Sequence, residues 1–371
     1  MRAYHRCIET IVREWASDGD LRQVLTMPEP LRRELERHEE SGVQRVHLCR
    51  LDLLPSLDGG FKVLETNANC PGGLLYSGRA SRAWRDVLLS AGAKLPDPMA
   101  HEDPHWMGRW FLEVALKDTG AVPARVALLR KEGGNRLELA AFAAVFRELG
   151  VESWEADPAE CSRSGSGGLT VGGRATAHAY LKLGIQDFLG MRGRVGPFLD
   201  AVSSGELFVQ NGLGGRWVGD NKLCLAVLSD PAFQHHFARA DLDELRGRIP
   251  WSRNLALCGG EVLSRIRANP GEYVLKSPLD TRGRGVIVGR EVSGSADWGR
   301  RVTDAAVNGW LVQEFCEAPE VETDFGSTET HKHDLALGAI NGELQGAFMR
   351  SSSELRVNVA RAGRMHPVFV G

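Results

Sequence analysis

Lysine is scarce in this chain of 371 residues: only eight of its 45 basic side chains are Lys. The seven Cys include no CxxC pair and no finger-like spacing, and an odd number of thiols argues against a disulfide framework. Neither charge sign dominates. A net charge of −3 and a pI near 6.4 give none of the basic footprint of a nucleic-acid binder. Apolar runs fall short of the roughly 20 residues that a membrane helix needs, so no membrane partner is expected. The opening "MRAYHRCIETIVREW" is charged and has no apolar signal core, which leads to a cytoplasmic expectation.

What is present fits a globular protein of two or three domains, with 43% hydrophobic and 25% charged residues. Residues 1 to about 40 have helical spacing with charged faces, read as a solvated surface. A hairpin follows, then a helical stretch "YSGRASRAWRDVLLSAG" and a Pro-rich connection. "ARVALLR", "NRLELAAFAAVFRELG" and "VESWEADP" alternate strand, helix, strand, the pattern of a small open α/β unit. "CSRSGSGGLTVGG" reads as a glycine-rich turn region. Beyond about residue 205 come a helix, "NKLCLAVLSDPAF", a strand–loop–strand, "GEYVLKSPLDTRGRGVIVGRE", and two strands about Asn341-Gly342.

The hairpin at Arg50–Asn67, "RLDLLPSLDGGFKVLETN", carries the sharpest chemical signal. Asp58-Gly59 between apolar strands suits a two-residue turn. That register sets Asp52 opposite Glu65 and Arg50 opposite Asn67, all on one face. Like charges facing each other across a strand pair are destabilising. A Mg²⁺ ion, which takes carboxylate and amide oxygens in an octahedron, removes the conflict, and Arg50 can hold an anion beside it. A solvated polar hairpin face is the alternative.

A second group suits phosphate. Lys276 ends an apolar strand before a loop holding Gly283 and Gly285, whose backbone N–H groups can close on phosphate oxygens. The Walker and Rossmann patterns are both missing, so a β-hairpin lid fits the element order better. Lys222 stands at a helix start, and "WLVQEF" ends a strand at Gln313 and Glu314, where an adenine could lie. Arg350, Arg356 and Asn358 follow the last hairpin and suit phosphate and carboxylate. Taken singly, each has a plainer reading as a basic hairpin tip, a snorkelling surface residue or a strand end, and for Arg350, Arg356 and Asn358 a solvated strand end is the commoner outcome. Cys70 has no His partner marked in sequence and is read as a buried thiol. His331 and His333 of "HKH" are read as exposed loop residues, and His235 and His236 as part of a polar helix; neither pair is taken as a metal site.

Together these pieces resemble the ATP-grasp superfamily, in circularly permuted form. The metal-type "RLDLL…ETN" opens the chain and "DLALGAINGELQGAFMR…LRVN" closes it, the reverse of the familiar order. The resemblance is to ligases such as the synthetase domain of glutathionylspermidine synthase and natural-product peptide ligases. It implies an α+β ATP-grasp fold with an inserted small α/β pre-ATP-grasp domain. The expected division is 1–100 (permuted part with the metal hairpin), 101–205 (the α/β domain) and 206–371 (nucleotide-binding subdomains).

By the same resemblance Asp52, Glu65 and Asn67 would bind Mg²⁺, and Lys222 and Lys276 would contact ATP phosphates. Gly283 and Gly285 would lie in the lid, Gln313 and Glu314 at the adenine hinge. Arg50 and Arg350 would steady the transferred phosphoryl group, with Arg284, Arg356 and Asn358 toward substrate. The implied activity joins a small carboxylic acid to an amine, an amino acid or peptide, through an acyl phosphate. Two alternatives stay open: a silent ATP-binding regulatory module, and a kinase that stops at phosphoryl transfer. Oligomeric state is open as well, with a homodimer as one option.

Overall fold

The structure, a computed structural model, describes residues 1–37, 45–56, 60–95, 97–98, 103–131, 136–165, 167–281, 283–324, 328–355, 357 and 363–370. The expected turn at Asp58-Gly59, and Arg356 and Asn358, lie outside the described residues.

Alternation in "LCRLDLLP" and "FKVLETN" produces strands Leu48–Pro55 and Phe61–Asn67, paired antiparallel. Asp52 lies opposite Glu65 and Arg50 opposite Asn67, as the sequence suggests. The route to that register differs. Near the turn Pro55 pairs with Phe61, one residue away from the two-residue-turn register. An irregularity between Asp52 and Leu53 leaves Leu64 as the extra residue and restores the pairing at the site.

This hairpin joins the chain's far end. Leu48–Pro55 pairs antiparallel with Thr328–Ile340, Asp52 facing Ala336. Thr328–Ile340 then pairs with Glu343–Ser352 about Asn341-Gly342, both at positive φ, and with Glu320–Asp324; Arg364–His366 adds to Glu343–Ser352. One face of this six-stranded sheet sends Cys49, Leu51, Leu53, Val63, Leu337 and Ala347 into the main core. The other face carries the polar residues of the hairpin.

Helix Arg2–Glu14 is core rather than solvated surface. Tyr4, Cys7, Ile8, Ile11 and Val12 form a full apolar stripe at helical spacing and are buried, while Arg2 and Arg6 on the polar face pair with Glu343 and Asp241.

The middle of the chain forms a parallel four-stranded sheet. Its order is Phe208–Val209, His178–Leu181, Arg125–Leu129, Glu152–Ala156, with helix Arg136–Glu148 in the crossover. The glycine-rich stretch read as turn is a three-stranded meander, Cys161–Arg163, Leu169–Val171 and Arg174–Ala175, because its short β-compatible triplets pair across the glycine turns. A second four-stranded sheet orders Ser252–Asn254, Leu311–Glu314, Tyr273–Lys276 and Val286–Val288, backed by a core of Leu275, Trp298, Val302 and Val312. No helix among the described residues is long and apolar enough to cross a membrane.

Short helix Gly212–Trp217 packs against the segment entering the metal-type strand. A Cβ on Gly215 would lie 1.9 Å from the Arg45 carbonyl oxygen, a backbone atom that cannot rotate away. Gly215→Ala is therefore expected to cost about 1–3 kcal/mol of stability through overpacking, read as a lower urea midpoint at unchanged m-value.

Candidate active site

A cavity of about 760 Å³ opens between the six-stranded sheet, the sheet of Tyr273–Lys276 and the segment 182–187. Its wall includes Arg50, Asp52, Glu65, Asn67, Lys222, Lys276, Gly283, Arg284, Gln313, Glu314 and Arg350. Gly285 sits at its edge. Its φ of +63° and the Ser277 Cβ, 2.6 Å from where a Cβ would stand, exclude a side chain, and its carbonyl accepts from the Ser277 N–H. Tyr273–Lys276 and Val286–Val288 form the expected hairpin.

The hairpin face forms the centre of the wall. Arg50 grips Asp52 with a fork, Nε to Oδ1 at 2.7 Å and a terminal nitrogen to Oδ2 at 2.9 Å, and donates to the Gly72 carbonyl. Arg350 reaches Asp52 Oδ2 at 3.0 Å. Burial alone would raise the Asp52 pKa, but Arg350 and Arg50 together outweigh it and hold the carboxyl well below its ordinary value. Arg350, for its part, is raised despite burial, because Asp52 and Asp334 both favour its charge.

Does this set fit a divalent cation? Asp52 and Glu65 lie directly opposite each other across the strand pair and both line the cavity, a pairing of like charges that a shared cation would relieve. The buried Asn67 side-chain nitrogen has no hydrogen-bond partner among the described residues. Amide ends are interchangeable, so this group can turn its oxygen to a metal. Two carboxylates and an amide match what Mg²⁺ takes from protein, the rest of its octahedron being phosphate and water. Among the described residues no three His, Cys, Asp or Glu cluster as metal ligands.

Lys276 is buried, and its ammonium donates to the Gln313 side-chain oxygen at 2.7 Å and to the Leu64 carbonyl at 2.9 Å. Leu64 is the extra residue of the hairpin irregularity, so that distortion turns a carbonyl toward the lysine. Burial lowers the Lys276 pKa to about 8. Lys222 is also buried and not on the open surface; it donates to the Asp280 carbonyl at 2.6 Å and lies 3.5 Å from Glu65. Gln313 keeps its side chain on Lys276 and on the Ser252 hydroxyl, and borders the cavity with Glu314 and Phe315.

Several wall residues escaped the sequence reading. Lys182 pins the Glu138 carboxylate at 2.8 Å and the Pro71 carbonyl at 2.8 Å. Asp220 accepts the Ala68 and Asn69 N–H groups, and burial raises its pKa. Asp334 forks onto Arg350. Lys182 ends an apolar strand, "HAYLK", as Lys276 ends "YVLK", so the same signal was there to read. Cys70 lines the cavity with its thiol pKa raised by burial, which keeps it protonated. His331 and His333 belong to strand Thr328–Ile340 and not to a loop, and His331 is buried. His236, in a 3-10 turn rather than a helix, faces Glu14 and Asp18.

With this geometry in hand, comparison with known proteins gives a fold. The chain superposes over 99% of its length on a glutathione synthetase-like effector, GSS30, from Globodera pallida, with a TM-score of 0.61, 13% identity and 85% of that chain covered. The fold is shared with a glutathione synthetase-like protein. A putative gamma-glutamylcysteine synthetase from Methylobacillus flagellatus follows, with a TM-score of 0.50, 12% identity, and 99% of this chain and 87% of that one covered. In sequence, the uncharacterized protein ML0605 of Mycobacterium leprae is 25% identical over 324 residues, 80% of this chain. The chain spans about half of that relative's length, 53%. No family model matches.

Proposed function

We propose that the chain is an ATP-dependent carboxylate–amine ligase built on a circularly permuted ATP-grasp fold. One observation carries the reading. The opening strand Leu48–Pro55 pairs with Thr328–Ile340 near the chain's end, so that Asp52 and Glu65 share one cavity with Lys222 and Lys276. The division into 1–100, 101–205 and 206–371, with the α/β unit inserted, belongs to the same proposal. The synthetase names of the two structural relatives agree with it.

In this reading ATP lies along the Tyr273–Lys276 sheet, with Lys222 and Lys276 toward its phosphates and Gln313 and Glu314 beside the adenine. Asp52, Glu65 and Asn67 hold Mg²⁺, which when bound neutralises phosphate charge. Arg50 and Arg350 balance charge on the transferred phosphoryl group, and the loop with Gly283, Arg284 and Gly285 covers it. A carboxylate oxygen of the acid attacks the γ-phosphorus, ADP leaves, an amine attacks the acyl carbon, and phosphate departs. The chain contributes alignment and exclusion of water rather than a nucleophile.

The test is ADP release from Mg²⁺-ATP over a matrix of amino acids and small acids against amines, with mass analysis of products. Release that needs both an acid and an amine is expected. A stable phosphorylated acid with no amine requirement would point instead to a kinase, and tight ATP binding without turnover to a regulatory module.

A further inference from the structure

Arg350 stands between two carboxylates that hold it unequally. Its Nε and a terminal nitrogen fork onto Asp334 at 2.8 and 2.5 Å, while Asp52 receives one contact at 3.0 Å. The fork follows from register. Asp334 lies directly opposite Arg350, and Asp52 lies opposite Ala336 on the other side of the same strand. Positions 334 and 336 project to one face, so all three charged groups meet there. They are nearly dry: 12% exposed for Arg350, 5% for Asp52 and 7% for Asp334. Both Asp334 oxygens are spent on Arg350, and among the described residues no other side chain bonds to them.

Asp52 is already forked by Arg50. If Arg350 also lost its own carboxylate, its buried charge would turn to the other anion that it already contacts. That anion is Asp52, whose oxygens would then be closed off by two guanidinium groups.

We propose that Asp334 is a positioning residue: it holds the fork of Arg350 away from Asp52 and so keeps the Asp52–Glu65 pair open to a divalent cation. The cation's place in catalysis rests on the ligase reading, but its binding can be measured without turnover.

Mn²⁺ is the probe, titrated into the full chain with ADP and followed by the electron-spin signal of the free ion. Asp334→Asn is expected to weaken Mn²⁺ binding about tenfold, as for other residues that orient a metal's ligands. Arg350→Met is expected to bind Mn²⁺ at least as well as the native chain. The double variant should match Arg350→Met, since without the guanidinium there is nothing for Asp334 to restrain. A merely structural role would lower the melting temperature and leave the double variant as weak as Asp334→Asn. That result, or native Mn²⁺ affinity in Asp334→Asn, overturns the proposal. Should Asp334→Asn not fold, Asp334→Glu keeps the charge and is expected within about threefold of native, well short of the loss on removing such a residue; a loss of tenfold or more in Asp334→Glu, or a double variant weaker than Arg350→Met, then overturns it. Mn²⁺ binding with no turnover on any acid–amine pair would fail the ligase reading alone. No Mn²⁺ binding by the native chain would fail this proposal too.

Discussion

Glu65→Gln is expected to leave the chain folded and to lower ATP-dependent ADP release by on the order of a hundredfold or more. The substitution keeps shape and one acceptor oxygen. It removes one of the two negative charges proposed to hold Mg²⁺, so the Mg²⁺ concentration at half-maximal rate should rise as well. Its structural cost is small, because the Glu65 side chain is 26% exposed and its ion pair to Lys222 is 3.5 Å long. Asp52→Asn is a blunter tool. Asp52 neutralises Arg50 and Arg350, both 12% exposed. Removing a partner from buried charges costs about 3–5 kcal/mol. Activity lost in that variant would mix unfolding with chemistry, which a melting curve would reveal. Glu65→Gln with full activity at unchanged Mg²⁺ dependence would remove the carboxylate pair from the mechanism.

The contrast between these two residues follows what sequence could and could not carry. Strand alternation and the thirteen-residue spacing of Asp52 and Glu65 are periodic features, and periodicity at the site survived the one-residue shift of register beyond Asp52. The irregularity at Leu64 absorbed the odd residue before it reached the site. Non-local pairing had no such local trace. Nothing in "KHDLALG" says that Asp334 faces Arg350 and not solvent, since that depends on register across the Asn341-Gly342 turn and on Leu48–Pro55 arriving from the other end of the chain. The roles of Lys182 and Asp220 were likewise hidden, although the place of Lys182 at the end of an apolar run was legible. Their partners, Glu138 and the N–H groups of Ala68 and Asn69, are remote in sequence. Composition misled at the N-terminus, where the charged face of Arg2–Glu14 masked a stripe that is core.

Lys276→Met is expected to weaken ATP binding by on the order of a hundredfold, the loss that follows truncation of a buried charge partner. Its effect on stability should be small at neutral pH and should change with pH. In the free protein, burial lowers the Lys276 pKa from 10.5 to about 8. Holding the ammonium charged below that value costs about 3 kcal/mol, at ~1.4 kcal/mol per tenfold change in proton affinity. Met removes that cost but strands the Gln313 side-chain oxygen and the Leu64 carbonyl, each worth about 1–3 kcal/mol when buried and unpaired. Near pH 7 the two effects roughly cancel. Between pH 8 and 10.5 the folded native lysine is neutral while the unfolded one still binds its proton, so native stability rises with pH. The variant has no such gain, and its melting temperature should fall progressively below the native one across that range. ATP favours the charged lysine, so its binding near pH 8.5 should take up a proton, read as a buffer-dependent heat in calorimetry. A constant melting difference from pH 7 to 10, together with native ATP affinity in Lys276→Met, would mean that the lysine neither carries a strained charge nor meets the nucleotide.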